Sequence, residues 1–137
     1  MSMLKVKALM TQSPIGFLAT TDGKKTSVRP MSAWLWDGDD LISASHRQAE
    51  KVAELGKCAG AEYCFSAPDG EHVRIAGTVS VADDPAGRKK LHAAHPPLQQ
   101  MFRGPDDPAL AVLRMKVRSI RLFSMKARGY TEVFPKA

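Results

Sequence analysis

Tight-turn signals at close spacing constrain this sequence more than any other feature. The dipeptide DG at 22–23, DGD at 37–39 and PDG at 68–70 each separate two runs rich in apolar and β-branched residues. Aspartate-glycine pairs favour the short turns that join antiparallel strands. Such turns leave no room for the helical crossovers that a parallel sheet requires, so the pattern predicts a mainly β chain of antiparallel strands.

The runs between these turns predict six or seven short strands and a few short helices. The expected strands cover 15–21, 26–37, 41–46, 61–68, 71–84, 109–117 and 118–125, with the last two joined tightly or bent around 117–119. The expected helices cover 3–12, 48–57 and 85–95, and 98–108 is a short helix or a loop. Many strands with few helices predict an antiparallel barrel with short flanking helices, because closure removes exposed sheet edges.

Composition and length place the chain among folded proteins of one domain, spanning 1–137. Hydrophobic residues make up 44% and charged residues 25%, which is typical of a globular protein. The longest apolar runs, 15–19 and 31–36, are far too short to cross a membrane. The N-terminal segment does not resemble a signal peptide, so a cytoplasmic location is expected. The net charge of +6 favours an anionic partner.

The predicted strand 26–37 is unusual because it carries Arg29 and Pro30 in its middle and ends in two tryptophans. Apolar side chains occupy both of its alternating faces, so both faces must be covered. Core packing would cover one face, and a partner subunit, a ligand or both would cover the other. Proline donates no hydrogen bond to a sheet, so the backbone beside Pro30 is free to bind a planar ring.

Three residues near this strand could hold a phosphate. Ser45 begins an S-x-x-Q pattern, the capping box of a helix that starts beside it, and free amides at a helix start attract anions. Lys51 lies one turn further along, and Arg29 comes from the neighbouring strand. We call Arg29, Ser45 and Lys51 the phosphate cradle. The pattern also fits an exposed arginine beside an ordinary serine-capped helix, and the spacing alone does not identify a ligand.

Other candidate sites are weaker. His92 and His95 have a helical spacing that allows two imidazoles to face one metal, but no third ligand is associated with them, so no metal site is expected. Basic residues cluster at 88–90 and in 114–128, with few aromatic residues between them for base stacking, so nucleic-acid binding is not expected. The sequence contains no nucleophile elbow, dinucleotide-binding glycine motif or phosphate-binding loop, and no side chain stands out as a catalytic acid or base.

Several motifs together resemble a known family. They are VRPM at 28–31, the spacing from Ser45 to Lys51, VRIAG at 73–77 and FRGPDDP at 102–108. In this order they resemble the pyridoxamine 5'-phosphate oxidase-like FMN-binding split barrels, and within them the general stress protein type. The likeness covers nearly the whole chain, from about residue 15 to residue 123.

The resemblance implies a Greek-key split barrel that forms a homodimer with FMN at the subunit interface. It implies that the phosphate cradle holds the FMN phosphate and that a strand from the other subunit approaches the flavin. The backbone that would face the isoalloxazine ring belongs to Pro30, Met31, Ser32, Ala33 and Trp34, and the approaching strand would carry His72, Val73 and Arg74.

The chain also departs from the family pattern. It ends in RGYTEVFPKA, without the arginine-rich segment that holds substrate phosphate in pyridoxamine phosphate oxidases, so pyridoxine-phosphate oxidation is not expected. Glu50 stands where an arginine is frequent, which adds a like charge near a phosphate, and Phe123 stands where tryptophan is common. The sequence therefore predicts an FMN-dependent oxidoreductase acting on an unidentified small molecule with an unidentified electron donor. The alternative is a non-catalytic barrel that binds a flavin or another anionic ligand such as haem or nucleic acid. The sequence also leaves open whether another flavin, a deazaflavin or haem takes the place of FMN.

Overall fold

The computed structural model describes residues 2–82 and 84–134, which form one curled antiparallel sheet and four helices. The helices are α1 (Ser2–Gln12), α2 (Glu50–Lys57), α3 (Pro85–Ala94) and α4 (Pro96–Met101). The strands are β1 (Gly16–Thr21), β2 (Thr26–Met31), β3 (Trp34–Asp37), β4 (Asp40–His46), β5 (Gly60–Ser66), β6 (His72–Ala82), β7 (Leu110–Ser124) and β8 (Gly129–Phe134). The mainly β barrel with short flanking helices predicted from the sequence is confirmed.

The order of the strands shows how the sheet closes. It runs β2-β1-β5-β6-β7-β4-β3, with β8 paired to β7. The two terminal strands, β2 and β3, are consecutive in the chain and are separated by Ser32 and Ala33 alone. The Cα atoms of Met31 and Trp34 can therefore be no more than about 11 Å apart. A sheet whose two edges are held this close must curl into a barrel. The Ala33 carbonyl extends the pairing of β3 with β4 by accepting from the Ala44 amide at 2.9 Å.

Three strand predictions differ from the structure. The single strand expected over 26–37 is two strands with different partners, β2 on β1 and β3 on β4. The two strands expected over 109–125 are one long strand, because the pairing with β6 continues past residue 118 with a shift in register. The segment 129–134, for which no strand was predicted, forms β8 at the side of β7. Among the described residues the strands thus number eight.

The barrel interior is a single apolar core. It includes Leu18, Tyr63 and Phe65 from β1 and β5, together with residues of the other strands, α1 and α2. Tyr63 is the polar member, and its hydroxyl donates to Ser43 Oγ at 2.8 Å. Burial raises the pKa of Tyr63 to about 12, so the phenol stays neutral and keeps this hydrogen bond at ordinary pH.

A second apolar core lies on the outer side of β4 and β7. Helices α3 and α4 contribute Leu91 and Leu98, and Phe102 follows them, all packed on strand residues such as Ile42. Leu35 of β3 packs against this cluster as well. The outer face of β3 is therefore covered by the chain's own helices. The sequence had assigned one face of the whole strand 26–37 to a partner subunit or a ligand. This is wrong for the half that forms β3, whereas Val28 in the half that forms β2 is 66% exposed.

The outer side of β1 and β2 has no such cover among the described residues. Phe17 and Val28 are 46% and 66% exposed, and Ile15, just before β1, is 52% exposed. Phe17 lies opposite Pro30, and Val28 lies opposite Ala19, so these apolar residues share one face. We call it the β1–β2 outer face.

None of the described helices has the length and apolar character needed to cross a bilayer.

Candidate functional site

Arg29 projects from β2 toward α2, and both terminal nitrogens of its guanidinium donate hydrogen bonds. Nη1 donates to the Leu18 carbonyl at 3.1 Å and to Thr20 Oγ1 at 2.7 Å. Nη2 donates to Glu54 Oε1 at 3.0 Å. The arginine side chain is 21% exposed, so its charge is partly removed from water and is compensated by the glutamate.

Glu54 is the anionic centre of this arrangement. Its side chain is 5% exposed, which is unusual for a carboxylate. It accepts hydrogen bonds from Thr20 and Ser27 at 3.0 Å each, in addition to the ion pair with Arg29. Burial on its own would raise the pKa of Glu54, but the two hydroxyl donors and the arginine outweigh it and hold this pKa below its usual value. The carboxylate is therefore charged at neutral pH.

Lys51, one turn earlier on α2, is partly buried and unlike Arg29 has no hydrogen bond or ion pair with any described residue. Loss of solvent around the amine, and then the positive charge of Arg29, lower the pKa of Lys51. An ammonium that is partly desolvated and faces another cation is stabilised by a nearby anion. This end of the barrel therefore has the electrostatics of an anion site, with Lys51 as its available charge.

Ser45 lies at the end of β4, but it does not cap the following helix. Helix α2 begins at Glu50, preceded by Ala49, and no side chain bonds the amides of its first turn. The Ser45 hydroxyl donates instead to the His46 carbonyl at 3.0 Å, and the residue is 6% exposed. The predicted capping box is wrong because His46 forms the local turn: its Nδ1 accepts from the Gln48 amide at 3.2 Å.

The segment expected to face a ring crosses the gap between the two sheet edges. Pro30 and Ser32 are exposed, whereas Met31 is 6% exposed and lies in the inner core. Trp34 packs edge-on against Phe65, with the ring centres 5.2 Å apart. Its indole donates to the Pro14 carbonyl at 2.6 Å, and its own carbonyl accepts from His95 Nε2 at 2.9 Å. The backbone of Trp34 is thus occupied, and the groups around Pro30 and Ser32 are the more accessible part.

His72 and Arg74 lie in a second cluster, on the outer side of β6, β7 and β8. The His72 ring stacks on Phe123, with centres 4.8 Å apart. Its Nδ1 donates to the Gly70 carbonyl at 3.0 Å, and its Nε2 is within hydrogen-bond distance of the Tyr130 hydroxyl, at 2.8 Å. Arg74 forms an ion pair with Glu62, which raises the pKa of Arg74, and lies 5.6 Å from the Tyr130 ring.

The structure thus separates the expected site residues into two groups. Arg29 and Lys51 interact electrostatically at one place, whereas the described contacts of His72 and Arg74 are with β5, β7 and β8. Two residues that the sequence did not single out are central to these groups: Glu54 and Tyr130. Glu54 looks like any exposed glutamate of a polar helix, and Tyr130 lies in the strand that was not predicted. The one signal in the sequence is that Glu54 is acidic and lies one helical turn after the basic Lys51, which could have suggested an ion pair near the phosphate cradle.

The two histidines considered as metal ligands serve the packing of α3 and α4. His95 bonds the Trp34 carbonyl, and His92 Nε2 lies 3.5 Å from the Phe102 carbonyl. Within residues 2–82 and 84–134, no group of three or more potential ligands is placed to hold a metal ion.

Comparisons with known proteins agree with this architecture. Residues 2–134 match the family model described as pyridoxamine 5'-phosphate oxidase like. General stress protein 26 from Bacillus anthracis aligns with a TM-score of 0.79 at 16% identity, covering 95% of this chain and 97% of that one. A NimC/NimA family protein from Clostridium acetobutylicum aligns with a TM-score of 0.82 at 21% identity, covering 95% and 90%.

A third structure with a similar fold is described as a heme binding protein. The heme binding protein from Mycobacterium smegmatis aligns with a TM-score of 0.76 at 17% identity, covering 93% of this chain and 56% of that one. At these identities the solved structures show the fold alone. No curated protein matches the sequence.

Proposed function

Because the chain belongs to the pyridoxamine 5'-phosphate oxidase-like family, we propose that residues 1–137 form a single domain of an FMN-binding oxidoreductase acting on a small molecule. Bound FMN would supply the electron transfer, and the protein would supply its placement and electrostatic surroundings. The observation that carries the proposal is the partly buried Lys51 ammonium beside the Arg29 guanidinium. Arg29 is already paired with Glu54, but an ammonium that is partly removed from water and has no described partner favours an anion such as a phosphate.

The phosphate cradle would hold FMN by its phosphate. Lys51 would provide the unpaired charge, Arg29 would strengthen the positive field, and Ser45 could contribute its hydroxyl after turning away from the His46 carbonyl. The ring would lie along the strand break from Pro30 to Trp34, where Pro30 and Ser32 are exposed. The flavin itself would carry the chemistry.

The proposal includes a cytoplasmic homodimer. The β1–β2 outer face carries exposed Phe17 and Val28 on a terminal strand pair, and a second copy would remove this apolar surface from water. In such a dimer the cluster of His72, Arg74 and Tyr130, which is separate from the phosphate cradle in its own chain, would be available to the flavin held by the partner.

Flavin content is the direct test. The purified protein is expected to show a flavin absorbance spectrum and to release FMN when denatured. Lys51→Ala is expected to weaken FMN binding at least about tenfold, because a hydrogen bond to a charged group contributes roughly 1.5–3 kcal/mol. Arg29→Ala should weaken it as well, since it leaves the Glu54 carboxylate uncompensated near the phosphate.

Lys57→Ala is the matched control, because Lys57 is an exposed lysine at the end of the same helix. It should change FMN affinity less than about twofold, as is usual for a single exposed charge. Equal FMN affinity in wild-type, Lys51→Ala and Arg29→Ala proteins would remove the phosphate cradle from the proposal.

Haem binding without catalysis is the competing function, and the similar fold of the mycobacterial heme binding protein favours testing it. His72 has both ring nitrogens engaged, so it would have to give up a described bond to bind iron. His46 has only its Nδ1 engaged among the described contacts, which makes its Nε2 the more available ligand. A haem absorbance band after reconstitution, with no bound flavin, would favour this function.

A further inference from the structure

Glu54 is a buried anion at the place where the proposed function needs free cations. Its Oε1 accepts from Thr20 and Arg29, and its Oε2 accepts from Ser27, each at 3.0 Å. The donors come from β1 and β2, whereas Glu54 belongs to α2. The carboxylate therefore already occupies a position toward which a cation and two hydroxyl groups converge.

We infer that Glu54 is a specificity-determining residue, an internal anion that competes with the ligand phosphate for Arg29 and lowers the preference for phosphorylated ligands. The inference deepens the proposed function and rests on its assignment of a phosphate to the phosphate cradle. It assigns the opposing charge to Glu54 and not to Glu50, the acidic residue that stands out in the sequence. Glu50 has a side chain 72% exposed to solvent, 3.8 Å from Lys25, so water screens it.

Competition follows from the bonds of Arg29. Both terminal nitrogens of the guanidinium are engaged by Leu18, Thr20 and Glu54. If Nη2 turned to a phosphate, it would leave a carboxylate buried without its cation. If Nη2 stayed, a phosphate on Lys51 would lie close to the Arg29–Glu54 pair and be repelled by the carboxylate. Both routes reduce the affinity for a dianion, because each brings like charges together or leaves one unpaired. Neither route affects a ligand without a phosphate.

The test compares FMN with riboflavin, which has the same ring and no phosphate. Affinities are measured by flavin fluorescence for the wild-type protein after removal of flavin, for Glu54→Gln and for Glu50→Gln. Glutamine keeps the shape: its Oε1 can accept from Thr20 and Arg29 and its Nε2 can donate to the Ser27 hydroxyl oxygen, but it carries no charge. Glu54→Gln is expected to bind FMN at least about tenfold more tightly while its riboflavin affinity changes less than about twofold.

The Glu50→Gln control removes the same charge from the same helix at an exposed position and should change both affinities less than about twofold. Unchanged or weaker FMN binding by a folded Glu54→Gln protein would overturn the inference and leave the proposed function standing. An equal gain in FMN affinity for Glu50→Gln would overturn the inference too, because the gain would then come from the net charge of the protein and not from the position of Glu54.

Inorganic phosphate provides a measurement that does not depend on flavin. If no variant binds FMN, the proposed function fails, and thermal unfolding with phosphate or chloride at equal ionic strength decides the inference. A larger stabilisation of Glu54→Gln than of the wild type by phosphate supports it, and an equal effect overturns it. If Glu54→Gln does not fold, Glu54→Ala is refolded in both salts. Recovery of folded Glu54→Ala protein in phosphate but not in chloride supports the inference, and failure to refold in both salts overturns it.

Discussion

At the scale of single residues, Gly77 shows how the absence of a side chain shapes the barrel. It lies where the pairing of β6 with β7 shifts register, opposite Val117, while Ala76 pairs with Ser119. A Cβ atom on Gly77 would lie 2.2 Å from the Lys116 carbonyl oxygen and 2.9 Å from Met115 Cγ. The neighbour at 2.2 Å is backbone, so it cannot move aside without separating the two strands.

Gly77→Ala is therefore expected to reduce the free energy of unfolding by about 2–3 kcal/mol, as overpacking a closed site does. Urea denaturation followed by circular dichroism measures it. Gly60→Ala in β5 is the matched control, because no heavy atom lies within 4 Å of its added Cβ, and we expect a change below about 0.5 kcal/mol. Equal stability of the two variants would contradict this account of the bulge.

At the scale of elements, Arg114 joins parts of the chain that are far apart in sequence. It bonds Asp40 at 3.0 Å, Asp37 at 2.8 Å, and Asp84, whose side chain caps the start of α3 by accepting from the Gly87 amide. Arg114 is 21% exposed, so the ion pairs are partly shielded from water. The network fixes α3, and with it the outer core, on the turn between β3 and β4.

Arg114→Met should lower the free energy of unfolding by about 2 kcal/mol at neutral pH, because three partly buried carboxylates lose their shared donor. Arg103→Met is the control, since Arg103 is 86% exposed and lies 3.9 Å from Asp107. The control should change stability by less than about 0.5 kcal/mol. Equal effects of the two substitutions, measured by urea denaturation, would rule out a special role for Arg114.

The same network predicts a dependence on acid. Arg114 holds the pKa of Asp84 below its usual value, and Lys90 and then Arg114 do so for Asp37. Carboxyl groups with lowered pKa stabilise the fold above their ordinary pKa of about 3.9, and this stability is lost as the pH falls through the lower folded values. From about pH 5 downward the wild type should therefore lose stability more steeply than Arg114→Met. Parallel curves of unfolding free energy against pH would contradict this.

At the scale of the whole molecule, the described helices pack on only part of the sheet surface. The inner face packs on α1 and α2, and the outer side of β4 and β7 packs on α3 and α4. The β1–β2 outer face remains exposed, and we propose a second copy as its cover. Val28 is the most informative position on this face, because it is 66% exposed and lies on the terminal strand β2.

Val28→Glu is expected to convert a dimer into a monomer in sedimentation experiments at micromolar concentration, because each buried apolar surface would then carry a charge. FMN binding should weaken with it if the flavin lies at the interface. Leu4→Glu is the control: Leu4 is 72% exposed on α1, a helix whose other side packs in the inner core. A wild-type protein that sediments as a monomer would remove the dimer from the proposal.

The sequence by itself determined the local structure. The turns at 22–23, 37–39 and 68–70 form as predicted, and Gly23, Gly38 and Gly70 each adopt a positive φ that other residues rarely adopt. Apolar runs bounded by turn signals placed β1, β4 and β6 within a few residues of their bounds. These features depend on neighbours in the chain, so a short window of sequence contains the information.

Tertiary structure alone decided what the polar residues of the phosphate cradle meet. Strand 26–37 divides because its two halves pair with opposite edges of a closing sheet, and Glu54 is buried because α2 lies against β1 and β2 at Thr20 and Ser27. The burial of Glu54 depends on contacts between residues 34 and 27 positions apart, and the division of the strand depends on how the whole sheet closes. A carboxylate in water and a carboxylate paired with a shielded arginine can have the same sequence neighbours, and only the packing around them sets their charge environment.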